Sequence, residues 1–144
     1  MTFSSYPLAQ YKAYKKEINQ KIEGILNSGN YILGQEVKNF ENSFSKYCDV
    51  KYTVGVNSGT DAILLALKAL NIGIGDEVIT VSHTALATLS AIILSGATPV
   101  IADVDEDFLN IKTDHLSKLI TKKTKAIIPA VSYTHLTLPT TPYV

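Results

Sequence analysis

The chain has 144 residues, 46% hydrophobic and 18% charged, enough to bury a core and too apolar for a disordered tail, a collagen or a solvated charge array. Thirteen lysines balance thirteen acidic residues and arginine is absent, so the formal net charge is zero. That balance argues against an electrostatic nucleic-acid footprint and excludes bidentate guanidinium clamps, leaving backbone N–H groups, hydroxyls or lysine for any anion site.

The single Cys48 can form neither an internal disulfide nor a thiolate metal cluster. The first residues, MTFSSYPLAQYKAYKK, lack a signal-like apolar core, and the densest apolar run, Ala62 to Leu70, is interrupted by Lys68. A cytoplasmic protein with no membrane partner is the expectation.

Tyr11, Tyr14, Ile18, Ile22 and Ile25 recur at helical spacing and predict an amphipathic helix over roughly 9–27, stopped by Asn27-Ser28-Gly29-Asn30. A second helix follows Gly34, with Val37, Phe40, Phe44 and Tyr47 on one face. Tyr52–Val56 reads as a short β-branched strand, and Thr60–Leu70 as a helix apolar nearly all round. Gly73-Ile74-Gly75-Asp76 is a turn into the strand Glu77–Val81. Thr84–Leu94 is another apolar helix, closed by Ser95-Gly96. Pro99–Ala102, Asp114–Ile120 and Lys125–Ile128 follow as strand, helix and strand. This alternation implies an α/β fold: a mostly parallel sheet between two helical layers. There is no internal repeat and no low-complexity linker, so no inner domain boundary is expected. In such sheets ligands bind beyond the carboxyl ends of strands, which directs attention to Asn57–Asp61, Ser82–Ala85 and Asp103–Asp107.

The run Val54-Gly55-Val56-Asn57-Ser58-Gly59-Thr60-Asp61 places small and hydroxylated residues where a strand should give way to a helix. Free N–H groups in a first helical turn, with the helix dipole, make an anion site. Gly59 would let a ligand approach the backbone, and Ser58 and Thr60 offer hydroxyl donors. Ser58 as a plain N-cap with Asp61 as its partner is at least as good a reading of the spacing. The run is neither a G-x-G-x-x-G fingerprint nor a P-loop. His83, just past a strand end, could stack on a planar ligand, although a loop histidine bonded to backbone is the simpler reading. Asp103-Val104-Asp105-Glu106-Asp107 reads as a solvated loop, with no second ligand group at metal spacing. His115 and Lys122-Lys123 read as surface.

The order Tyr31-Ile32-Leu33-Gly34, Phe40-Glu41, Asn57-Ser58-Gly59-Thr60-Asp61-Ala62, Gly73-Ile74-Gly75-Asp76-Glu77-Val78-Ile79, Gly96-Ala97-Thr98-Pro99-Val100, Asp103-Val104-Asp105, Asn110-Ile111 and Thr124-Lys125-Ala126-Ile127-Ile128-Pro129 resembles the DegT/DnrJ/EryC1/StrS aminotransferases. The resemblance implies a partial large domain of a fold-type I transferase, with pyridoxal 5'-phosphate as cofactor. It further implies a nucleotide-linked keto-deoxysugar as substrate, a glutamate-like amino donor and a homodimer. Carried over by position, Ser58, Gly59 and Thr60 match the segment that holds the cofactor phosphate. His83 lies in the loop that supplies the ring stacked on the pyridine; many members carry an aromatic residue at the position of Ala85, which leaves His83 as the stacker here. The family's Schiff-base lysine and the aspartate that holds the pyridine nitrogen match nothing in this chain, and no catalytic residue is assigned. A sugar dehydratase of the same family, or a non-catalytic anion- or nucleotide-binding α/β module, are the competing readings.

Beyond Pro129 the resemblance stops. Val131-Ser132-Tyr133-Thr134-His135-Leu136-Thr137-Leu138-Pro139-Thr140 matches one translated frame of a common transposase sequencing adaptor. The expectation is therefore that 1–129 is the opening part of an aminotransferase large domain and 130–144 a non-native read-through tail. On this reading His135 has no catalytic role and the chain alone is an inactive fragment.

Overall fold

A computed structural model describes residues 6–107 and 109–131. They fall into two compact units, one up to Gly55 and one from Val56 onward, where composition marks no boundary.

The first unit is helical. Helix α1 (Pro7–Ser28) begins with proline at its first position, where the missing N–H costs nothing, and ends at Gly29 with φ +68°. Ser28 Oγ donates to the Ile25 carbonyl at 2.7 Å and accepts from Asn30 N–H at 3.1 Å, closing the stop that the Asn-Ser-Gly-Asn run predicts. Helix α2 (Gln35–Tyr47) starts after Gly34, and its apolar face carries the stacked Phe40 and Phe44 rings, centroids 5.5 Å apart. Neither helix contains a buried residue. The tyrosines and isoleucines of α1 line an open groove of about 1120 Å³ within this unit. Tyr52–Val56 belongs to no strand: a strand needs a ladder partner as well as β-branched residues, and this segment has none among the described residues. Its Thr53 hydroxyl donates instead to the Glu41 carbonyl, and Gly55 N–H to Glu41 Oε1 at 2.8 Å.

The second unit is the α/β part. Helix α3 (Gly59–Ala69) precedes strand β1 (Glu77–Val81). Helix α4 (Leu86–Ser95), strand β2 (Thr98–Ala102), helix α5 (Thr113–Leu119) and strand β3 (Thr124–Ile128) follow. The three strands are all parallel, in the order β2-β1-β3. The chain steps from β1 to β2 on one side and then crosses to β3 on the other. With right-handed crossovers, that reversal puts α4 and α5 on opposite faces of the sheet. Central β1 is fully buried from Val78 to Val81, as expected of a strand covered on both faces. Val78 clusters with Leu67 of α3, with Ile72 in the segment after it, with Ile92 of α4, and with Ala97. Lys68 Nζ donates to the Ser95 carbonyl at 2.9 Å, tying the end of α3 to the end of α4.

Two glycine turns set the approach to β1. Gly75 has φ +91°, and the Asp76 carboxylate accepts from Gly73 N–H at 3.0 Å, so this pair of glycines serves a turn. Gly96 closes α4 with φ +93°, and a Cβ there would come within 3.0 Å of Ile74. Helix α4 starts at Leu86, two residues later than the apolar pattern implies, because Thr84 and Ala85 form the turn into it. No helix among the described residues is long and apolar enough to cross a membrane.

Candidate functional site

Parallel strands collect their outgoing loops at one edge, and here two of those loops make the site. Residues 82–85 leave β1 and residues 129–131 leave β3, its neighbour in the sheet. A cavity of about 560 Å³ lies between them, lined by His83, Thr84, Ala85, Thr88, Ile63 of α3, and Ile128–Val131. Ile63 lies in the second turn of α3, so the N-terminal half of that helix reaches the same edge. Ile63 stands three residues beyond Thr60 on that helix, so Thr60 shares the face that reaches the cavity.

The start of α3 is a cap built by three side chains. Ser58 is the N-cap, with extended backbone, and its Oγ accepts from Asp61 N–H at 3.1 Å. The same hydroxyl donates to Asp61 Oδ2 at 3.0 Å, and Asn57 Nδ2 donates to that oxygen at 3.1 Å. The cap reading of Ser58 and Asp61 is therefore the arrangement found. It leaves the first two N–H groups of the helix, on Gly59 and Thr60, with no acceptor inside their own helix. A Cβ built at Gly59 meets nothing within 4 Å, so the space before this turn is open. The Thr60 hydroxyl has no hydrogen bond among the described residues. Two outward N–H groups, a free hydroxyl and open space at a helix N-terminus suit a phosphate.

His83 is exposed and makes no hydrogen bond among the described residues, so the backbone-bonded alternative does not hold there. Ser58, Gly59 and Thr60 do not line the cavity that His83 lines; α3 connects the two through Ile63. Thr84 lies in the Ser82–Ala85 loop to which the sequence points, whereas Thr88 and the residues after β3 were missed by sequence reasoning. Thr84 Oγ1 donates to Thr88 Oγ1 at 3.0 Å, an i, i+4 hydroxyl pair visible in the sequence as Thr-Ala-Leu-Ala-Thr. Buried Thr80 donates to the Ile128 carbonyl at 3.0 Å, joining the carboxyl ends of β1 and β3.

The acidic run is a loop. Asp103 Oδ1 accepts from Val104 N–H at 2.9 Å and Asp105 Oδ1 from Asp107 N–H at 3.0 Å, while Val104 bridges Ile111. His115 lies exposed on α5, and Lys122-Lys123 in the exposed turn before β3. His135 and the rest of 132–144 lie outside the described residues.

A family model described as the DegT/DnrJ/EryC1/StrS aminotransferase family matches residues 12–137. The chain is 47% identical over 115 residues to the dTDP-3-amino-3,6-dideoxy-alpha-D-galactopyranose transaminase of Aneurinibacillus thermoaerophilus, a match covering 80% of this chain and 32% of that protein. The structure of S. venezuelae DesV in complex with a ketimine intermediate superposes with a TM-score of 0.80 at 44% identity, over 84% of this chain and 33% of that one. The E. coli GDP-4-keto-6-deoxy-D-mannose-3-dehydratase with bound hydrated PLP superposes at 0.66 and 32% identity, over 77% of this chain and 30% of that one. The chain thus spans about a third of the length of the relatives it matches.

Proposed function

The chain belongs to the DegT/DnrJ/EryC1/StrS aminotransferase family, and on that premise we propose that it is the cofactor-phosphate-binding part of a pyridoxal-phosphate-dependent nucleotide-sugar aminotransferase. The observation that carries this reading is the open start of α3, with uncommitted N–H groups at Gly59 and Thr60, at the sheet edge where His83 also stands. Gly59 and Thr60 would bind the phosphate through backbone N–H groups, and Thr60 through its hydroxyl as well. Ser58, whose hydroxyl is held by Asp61, would contribute by fixing the turn. His83 would lie against the flat ring, and Ile63, Ile128 and Pro129 would keep water from it. When bound, pyridoxal phosphate supplies the electron sink for amino transfer. No lysine of this chain is given the proton-transfer role. A nucleotide-linked keto sugar, a glutamate-like donor, a homodimer and a cytoplasmic place of action complete the reading.

The test is to incubate the full-length protein carrying this segment with pyridoxal 5'-phosphate, L-glutamate and nucleotide-linked keto-deoxysugars, and to follow the products by mass. An amino sugar formed at the expense of glutamate is the expected result. A deoxygenated sugar with glutamate unconsumed would support the dehydratase reading that the E. coli neighbour suggests. Saturable anion binding without turnover of any sugar would favour a non-catalytic module and overturn the enzyme.

A further inference from the structure

We propose that the Thr84–Thr88 hydroxyl pair is a positioning device for His83, holding the β1–α4 loop in the conformation that presents the imidazole to the cavity. The proposal rests on the reading of His83 as the group that faces the cofactor ring. Nothing bonded to the imidazole fixes its place, because His83 is exposed and has no hydrogen bond among the described residues. Its position is set by the loop between Val81 and Leu86, and that loop is anchored on either side of it. Before His83, Ser82 N–H donates to the Ala102 carbonyl at the end of β2, at 3.0 Å. After it, α4 begins at Leu86, and its N-cap residue, Ala85, has no side-chain cap to offer. On this side the loop is held by Thr84 instead, whose Oγ1 donates to Thr88 Oγ1 at 3.0 Å.

Thr88 is a good anchor for physical reasons. It is only 6% exposed, so water competes poorly for its hydroxyl. As a β-branched residue inside a helix it has few χ1 options, and its own N–H is bonded to the Ala85 carbonyl at 3.1 Å. A loop freed from this anchor would spread over several conformations. A ligand that needs one of them then binds more weakly, in proportion to the fraction of molecules that present it.

The test is a titration of pyridoxal 5'-phosphate into the full chain bearing Thr88→Val, Thr88→Ser, His83→Ala, and His83→Ala with Thr88→Val together. Valine keeps the shape of threonine and removes the acceptor. Thr88→Val is expected to weaken binding about fivefold, the factor of a typical net hydrogen bond, with Thr88→Ser restoring it. In the His83→Ala background, Thr88→Val should add nothing further. The His83 ring resonances of the ligand-free protein should broaden or shift in Thr88→Val and return in Thr88→Ser. Unchanged binding in Thr88→Val beside weakened binding in His83→Ala overturns the anchor alone. So does a Thr88→Val loss that persists undiminished without His83, which would mean that Thr88 acts directly or through stability. Unchanged binding in His83→Ala overturns the reading of His83 and this proposal with it. Should Thr88→Val fail to fold, Thr84→Ala removes the donor from the loop side and enters the same cycle.

Discussion

The two units bury their apolar residues to opposite extents although both show clear apolar patterning. In the unit up to Gly55, Tyr11, Tyr14 and Ile22 of α1 and Phe40 and Phe44 of α2 follow the helical repeat and stay exposed. In the unit from Val56 on, α3 and α4 bury Leu67, Ala91 and Ile92 against a strand with no exposed surface from Val78 to Val81. The difference lies in what each stripe meets. A helix stripe is satisfied by a sheet face that presents alternating residues across several strands. Two helices joined by a short loop, with a groove of about 1120 Å³ open beside them, leave theirs to solvent. An amphipathic pattern states that a face should be covered; it does not state by what.

Substitutions that compare the units should order themselves accordingly. Ile92→Ala removes a fully buried side chain from the cluster with Leu67 and Val78, and should cost about 2–5 kcal/mol in urea unfolding. A cost under about 1 kcal/mol would mean that the α/β core is far looser than its burial implies. Gly96→Ala meets both a left-handed φ and the Ile74 side chain, and should cost about 1–3 kcal/mol by the same measurement. Ser58→Ala removes the α3 cap, with an expected loss of about 1 kcal/mol. Pyridoxal 5'-phosphate affinity should fall with it only modestly, because the donors assigned to the phosphate are on Gly59 and Thr60. A loss of affinity as large as that of Thr60→Val would make Ser58 a direct ligand. Ile22→Ala, half-exposed on α1, should change stability by no more than about 0.5 kcal/mol. A loss comparable to that of Ile92→Ala would show that the α1 stripe is covered in solution and erase the contrast between the units.

Much of this fold is legible residue by residue. Gly29 and Gly96 stop α1 and α4 at the positions their sequences announce, because a left-handed residue ends a helix locally. Strand β1 runs over the predicted Glu77–Val81, framed by the Gly73–Asp76 turn. Tyr52–Val56 shows the opposite case: its β-branched residues suit a strand, but its bonds go to Glu41 of α2. The site divides along the same line. Ser58, Gly59 and Thr60 could be singled out because capping and anion binding are properties of one turn. Thr84 and Thr88 could have been noticed as an i, i+4 hydroxyl pair, yet nothing in that spacing says that Thr88 is buried beside a cavity.

By itself, the sequence determined the alternation of helices and strands, the caps and turns between them, and the family resemblance that the family match bears out. These depend on residues within a turn or two of one another, whose sterics and hydrogen bonds are settled locally. Only the tertiary structure decided the strand order β2-β1-β3, and with it which loops share an edge. One cavity is lined by His83 together with Pro129 and Ala130, and Thr80 reaches the Ile128 carbonyl across 48 residues of chain. Strand pairing is chosen by complementary faces distant in sequence, and local periodicity holds no record of the partner.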